Sequence, residues 1–318
     1  MTAYYVRSGA TGSANGTSWA NAYTALSTAL SGKVAGDILY VSEDHSESVA
    51  AALSLTFPSS PANRLRVYCA DHNGSVPPVA ADLRTTAVIA TTSTNGISVI
   101  GSCYCYGIQL KTGNGLTSSL IFGQNSGDTQ TYDKCTFALQ GTGGGSLVIG
   151  SSFSNKVSFI DPTFTFASTS ARIQLRSAYE IHGGSFAATG AVPTTLLQYG
   201  SSCTLAGEIH GVDLSAFGSG KTLVGTTNTN CGQVTLRACK LGASVTPAAT
   251  PTNPGSPYVD FINCDSGATN YRNERYRYEG TLKTETTVVR TGGASDGTTP
   301  ISHIITTTSN TDWTQPFE

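Results

Sequence analysis

Charge is scarce in this chain of 318 residues. Asp, Glu, Lys and Arg together make up 12% of it, and they nearly cancel to a net charge of -2. A chain with no excess of positive charge has no field to draw in nucleic acid or an anionic membrane surface, so neither is expected as a partner. No run of 18 apolar residues occurs, and the start "MTAYYVRSG" has no basic stretch followed by an apolar one. A soluble chain without an export signal of its own is therefore expected. Catalytic and cofactor signatures are missing too. There is no H-E-x-x-H and no C-x-x-C pair, so no zinc site or other cofactor is indicated. "GTGGGS" (141–146) is Gly-rich but precedes a strand pattern and has no following Lys. It reads as a loop rather than a phosphate cradle.

Gly (35 residues), Ser, Thr and Ala fill the space the charges leave, and 39% of the chain is hydrophobic, enough for a sizeable core. Eight cysteines are scattered singly along the chain. Without a signal peptide to place them in an oxidising compartment, they are expected to be free, buried, small apolar residues.

The chain repeats itself. CYGIQL (105–110), YDKCTF (132–137), FIDPTF (159–164), IHGGSF (181–186), IHGVDL (209–214), LRACKL (236–241) and FINCDS (261–266) align, with starts 27, 27, 22, 28, 27 and 25 residues apart. The first and last columns are apolar except for Ser266, and the fourth holds small or medium side chains. An independent column runs through GISVIGS (96–102), SSLIFGQ (118–124), GSLVIGS (145–151), ARIQLRS (171–177), TTLLQYGS (194–201) and KTLVGTT (221–227). A period of 22 to 28 residues without helical spacing, made of short β-branched and aromatic runs, predicts a stacked β-solenoid. Columns one, four and six should face the core, with a bend between one and four where the alternation changes parity. Eight to ten such coils would make a rod of about 40–50 Å at the spacing of neighbouring strands.

At the start, Trp19, Tyr23, Leu26 and Leu30 recur at helical spacing and Gly32 ends the run. They predict an amphipathic helix that closes the first coil. The expected organisation is an N-terminal cap with the first strands over 1–62, a parallel β-helix over 63–268, and a C-terminal β extension over 269–318.

The stretch "YYVRSGATGSANGTSWANAYTALSTAL...AGDILYV" resembles the entry motif of right-handed parallel β-helix proteins of the pectate-lyase-like superfamily, which includes phage tailspikes. The resemblance implies an all-β, right-handed parallel β-helix with an N-terminal capping helix. It says little of activity, because the fold hosts many. The turn "GGASDGTTPIS" (292–302) is similar to the end of β-helix proteins encoded among phage head genes.

Enzymes of this architecture carry carboxylates and cations clustered on one outer face. The outward columns flanking column one bring Glu180 over Glu208 and His182 over His210. Stacked carboxylates could hold one proton between them as a general acid. The competing reading is a surface ladder at a turn, and it is preferred because no further acidic residues extend the patch and Arg237 is the sole cation noted beside it. The chain is accordingly expected not to be an enzyme and to bind neither metal nor cofactor.

The function expected is that of a structural phage virion protein, a capsid decoration or cement protein. It would be made in the host cytoplasm and carried on the capsid exterior. Two alternatives stand beside it, a tailspike-like polysaccharide depolymerase and a non-catalytic spike that binds a host surface glycan. A solenoid beginning by residue 4 leaves no separate tail anchor before it, which favours decoration. Partners would be the major capsid protein and the chain itself as a homotrimer. The contacts would come from the basic and aromatic run Arg272, Arg275, Tyr276, Arg277 and Tyr278 and the alternating Val288, Val289, Ile301 and Ile304.

Overall fold

Each coil turns a corner on a residue in the left-handed backbone region. At the position between columns one and four, Gly107, Lys134, Asp161, Gly183, Gly211, Ala238 and Asn263 have φ of 71°, 50°, 46°, 64°, 67°, 50° and 53°. A side chain there costs about 1–2 kcal/mol, and four of the seven corners bear it. The bend expected from the change of parity is thus present in every aligned coil.

The structure, a computed structural model, describes residues 1–150, 155–187, 191–199, 207–226, 233–248 and 258–265, together with the backbone of strands at 270–271, 274–277, 285–291 and 302–307. Three long sheets run its length, each built from strands one coil apart. The first begins with Ala3–Val6, Ile38–Ser42, Leu65–Ala70 and Cys103–Tyr106 and continues in parallel to Tyr258–Ile262. The second runs from Ser46–Val49 to Cys264–Asp265, and the third from Leu53–Thr56 to Thr246–Ala248. This is a right-handed parallel β-helix, all-β but for short helical segments at Leu26–Leu30 and Ala80–Asp82.

Register confirms the columns. Cys105 pairs with Tyr132, Tyr132 with Phe159, Phe159 with Ile181, Ile181 with Ile209, Ile209 with Leu236 and Leu236 with Phe261. All seven are buried, as are Leu110, Phe137, Phe164, Phe186, Leu214 and Leu241 of column six. In-register stacking puts like side chains in contact. Phe137 stacks on Phe164 at 5.4 Å and Phe164 on Phe186 at 4.8 Å, while Phe122 meets Phe137 and Phe159 edge to face. Offset and edge contacts of this kind add about 0.5–1.5 kcal/mol each to the burial itself. Six described cysteines, Cys69, Cys103, Cys105, Cys135, Cys239 and Cys264, are free and buried. Cys203 and Cys231 lie outside the described residues.

The capping helix is shorter than its spacing predicts. It spans Leu26–Leu30 alone, and Trp19 and Tyr23 are not helical. Two backbone hydrogen bonds tie Tyr23 to the edge of the first sheet, Arg7 N–H to its carbonyl at 2.8 Å and its own N–H to the Tyr5 carbonyl at 2.9 Å. One turn of helix cannot offset its nucleation cost by itself. Sheet pairing takes the segment up to Tyr23, and helix begins only where Glu47 supplies a carboxylate oxygen 2.9 Å from the Leu26 N–H.

The parallel order ends by reversal. Glu274–Arg277 pairs antiparallel with Tyr258–Ile262, which sets Arg275 opposite Asp260 and Tyr276 opposite Val259, and Asn270–Tyr271 pairs antiparallel with Cys264–Asp265. Further on, Glu285–Thr291 and Ser302–Thr307 pair antiparallel with each other, Val289 opposite Ile304 in register. Arg272, Tyr278 and Ile301 lie outside the described residues, as do the side chains of Arg275, Tyr276, Arg277, Val288, Val289 and Ile304. Among the described residues, no helix is long and apolar enough to cross a membrane.

Candidate functional site

The first two coils leave the first sheet on the same face. Strand Ile38–Ser42 pairs in parallel with Leu65–Ala70, Ser42 opposite Ala70. The next residues, Glu43 and Asp44 on one coil and Asp71 and His72 on the other, therefore emerge side by side. The Glu43 N–H still bonds the Ala70 carbonyl at 2.9 Å, holding the two exits in step. On the far side Val6 pairs with Val41, which brings Arg7 beside the same exit.

These side chains converge. Glu43 Oε1 lies 2.8 Å from His72 Nδ1, and Glu43 Oε2 accepts the His72 backbone N–H at 2.8 Å. The Ser42 hydroxyl, fully buried, is 3.0 Å from the same Nδ1 and 2.6 Å from Asp44 Oδ1. A carboxylate only accepts, so Nδ1 carries the hydrogen. The imidazole is held in one orientation with Nε2 left to take or give a proton. Trp19 packs edge-on against the His72 ring at a centroid distance of 6.3 Å. Asp71 takes a bond from Arg84 Nη2 at 2.9 Å and from the Asn73 N–H at 2.9 Å.

One ligand atom each from Glu43, Asp71 and His72 lies within 4.8 Å of the other two, and all three residues are half-buried. The mixture of imidazole nitrogen and carboxylate oxygen could hold a divalent cation of the manganese or zinc kind. With protons alone, the same set provides an oriented imidazole, two carboxylates and a guanidinium within reach of one another. The Arg7 fork grips Asp44, Nη2 to Oδ2 at 2.7 Å and Nε to both oxygens at 3.1 and 3.2 Å. It draws that carboxyl down to about 2, with the Ser42 hydroxyl helping and partial burial opposing. Asp44 is therefore a fixed negative charge beside the dyad, not a proton donor.

This geometry corrects the expectation that the chain is not an enzyme. Acid, base and cation are assembled on one face, and a surface ladder of unrelated charges does not produce a carboxylate–imidazole pair backed by a buried hydroxyl.

The residues singled out from sequence lie on the seventh and eighth strands of the first sheet, counting Ala3–Val6 as the first, in the register expected. Glu180 pairs with Glu208 and His182 with His210, the imidazoles 5.9 Å apart. A second cation was overlooked there. Lys156 Nζ sits 2.7 Å from Glu180 Oε1 and holds the Glu180 carboxyl below its ordinary range. Arg237 lies 3.7 Å from Glu208. Each carboxylate thus has its own cation. His182 Nε2 is 3.8 Å from Glu180.

Sequence reasoning missed Glu43, Asp71 and His72 because the aligned windows begin at Cys105. Extending the columns backwards sets "YVSED" (40–44) over "YCADH" (68–72). That superposition, which the register bears out, was the available signal.

Comparison with protein-family models, with curated proteins and with solved structures finds no match to this chain. Functional assignment therefore rests on the fold and on these side chains.

Proposed function

We propose that the chain is a polysaccharide depolymerase of the tailspike-like kind, acting at the exits of its first two coils. The observation that carries this reading is the convergence of Glu43, Asp71 and His72 within 4.8 Å on one half-buried face. In this reading His72 Nε2 exchanges a proton with the sugar chain while Glu43 stabilises the imidazolium that forms. Asp71 is the second proton-transfer group, freed for that role when substrate displaces Arg84 from it. Positioned acid–base groups of this sort contribute about 10²–10⁴ in rate. A rigid solenoid suits the task, because successive coils present an extended face along which a polymer can lie. The virion setting follows from the likeness to tailspikes and belongs to the same proposal, with the homotrimer and the capsid contact of the C-terminal strands.

The test is a cleavage assay on a panel of bacterial capsular polysaccharides, read both as new reducing ends and as unsaturated products, since hydrolysis yields only the former and elimination yields both. Loss of cleavage in His72→Ala and Glu43→Gln, with melting temperature retained, is the expected result. Cleavage that survives both substitutions would show that the site is misassigned.

A further inference from the structure

A stripe of aromatic rings crosses the outer face of the first sheet. Tyr5, Tyr40 and Tyr68 occupy one outward column of the first three coils, and Tyr104 of the fourth coil joins them. Neighbouring centroids lie 5.8, 6.1 and 5.7 Å apart. Trp19 covers the start of the stripe at 4.8 Å from Tyr5, so that Trp19, Tyr5 and Tyr40 are buried. Tyr68 and Tyr104 remain half-exposed. They form one wall of a recess of about 290 Å³ whose other lining residues are Ala62, Asn63, Arg64 and Arg66.

The two arginines differ from those at the proton-transfer cluster. Arg7 and Arg84 each grip a carboxylate. Among the described residues neither Arg64 nor Arg66 pairs with an acid. Arg64 Nη1 instead donates to the Thr131 hydroxyl at 2.6 Å and to the Cys103 carbonyl at 3.4 Å, which fixes its guanidinium at the recess while leaving its charge uncompensated. Tyr104 spends its hydroxyl on Asp133 at 2.8 Å, so its ring is held in place and its phenol is pushed well above the ordinary range by burial and that bond. In a chain with net charge -2, this is a local concentration of positive charge beside two rings, that of Tyr104 held in place.

We propose that this recess binds an anionic sugar unit, carboxylated or sulfated. Arg64 and Arg66 would take the acid group, and Tyr68 and Tyr104 the apolar face of the ring. Planar guanidinium forks match carboxylate and sulfate oxygens, and flat aromatic faces give contact area at little entropic cost. The recess deepens the depolymerase reading and rests on it for the role of the bound chain as substrate. Tyr68 and His72 lie four residues apart on the strand Leu65–Ala70 and its exit, about 13 Å at strand rise. One polymer can therefore reach both.

Affinity electrophoresis through gels containing hyaluronan, dextran sulfate or neutral dextran tests this, with single-stranded DNA as a fourth gel. The intact chain should be retarded by hyaluronan, by dextran sulfate, or by both, which tells carboxylate from sulfate recognition, and not by dextran. Arg66→Ala, at an exposed position, should weaken retardation about tenfold, the loss expected for one charge-assisted hydrogen bond. Tyr68→Ala should weaken it with Arg66 intact, which plain charge attraction would not produce. Cleavage is read separately in the capsular polysaccharide assay, so loss of binding and loss of cleavage are separable. Absence of retardation in both anionic gels, equal retardation of parent and Arg66→Ala, or retardation by dextran would overturn the proposal. So would binding of DNA with the same dependence on Arg66 and Tyr68, which would make the occupant a nucleic acid.

Discussion

Glu43 and His72 meet across two coils, carboxylate oxygen to Nδ1 at 2.8 Å, although 29 residues separate them in the chain. The contact exists because Ser42 and Ala70 are register partners. A shift of one residue would turn one of the two side chains to the other face. The dyad therefore depends on the solenoid's pairing rather than on a dedicated loop.

Removing either half of the dyad should affect chemistry more than folding. Glu43→Gln keeps the shape but removes the carboxylate bonded to Nδ1, leaving Asp44 at 3.9 Å as the nearest counter-charge. A fall of about 10²-fold or more in cleavage is expected for it, and at least as large a fall for His72→Ala. Thermal melts should place both within a few degrees of the parent, since the residues are only half-buried.

Arg7 should control the ionisation of Asp44. The folded-state value of about 2 lies below the ordinary 3.8, so the folded chain binds that proton less readily than the unfolded chain. The resulting stabilisation is present above pH 4 and disappears as pH falls toward 2. Arg7→Ala should return the Asp44 carboxyl toward its ordinary value in a carbon-detected NMR titration. At neutral pH it should lower stability by no more than about 1 kcal/mol, because the pair is solvent-screened. The stability difference between parent and variant should vanish at the acid end.

The corner position offers a graded series. Gly107 and Gly211 both have positive φ, but a Cβ on Gly107 would run into the Arg84 carbonyl oxygen, whereas one on Gly211 meets open space. Gly211→Ala should cost about 1–2 kcal/mol, the left-handed penalty alone, and Gly107→Ala clearly more. Ala238→Gly should have the opposite sign, stabilising by up to about 1 kcal/mol. Denaturant melts of the three variants would check the order.

These corners also show what the sequence makes legible. The apolar columns could be read because in-register parallel stacking puts like residues in contact and therefore repeats them. The bend could be read because it changes the parity of that repeat. Tyr23 was misread as helical since its spacing from Leu26 and Leu30 satisfies a helix, while the competing sheet edge at Tyr5 is a tertiary partner that local spacing does not reveal. The Glu43–Asp71–His72 cluster escaped for a related reason. Its side chains occupy outward positions that do not repeat, so the coils holding them align only through their cores. The Glu180 and Glu208 ladder was found because it does repeat, and its carboxylates turned out to be paired with Lys156 and Arg237.

The capping turn rests on one buried carboxylate, and its removal gives a final prediction. Glu47 Oε2 accepts the Leu26 N–H at 2.9 Å and lies 3.4 Å from Nε2 of His45, whose side chain is fully buried and whose Nδ1 has no partner. Glu47→Ala would leave the first helical N–H unpaired and strip the imidazole of its neighbour. Each buried polar group so abandoned costs about 1–3 kcal/mol, so a loss of about 2–6 kcal/mol is expected for the two. Glu47→Gln retains an acceptor for Leu26 and should lose less. Hydrogen exchange at the Leu26 and Ala29 amides would separate this from a general loosening. In Glu47→Ala these two should exchange faster than amides of the Phe137–Phe164 stack, because local opening of the cap does not require the stacked aromatic columns to part.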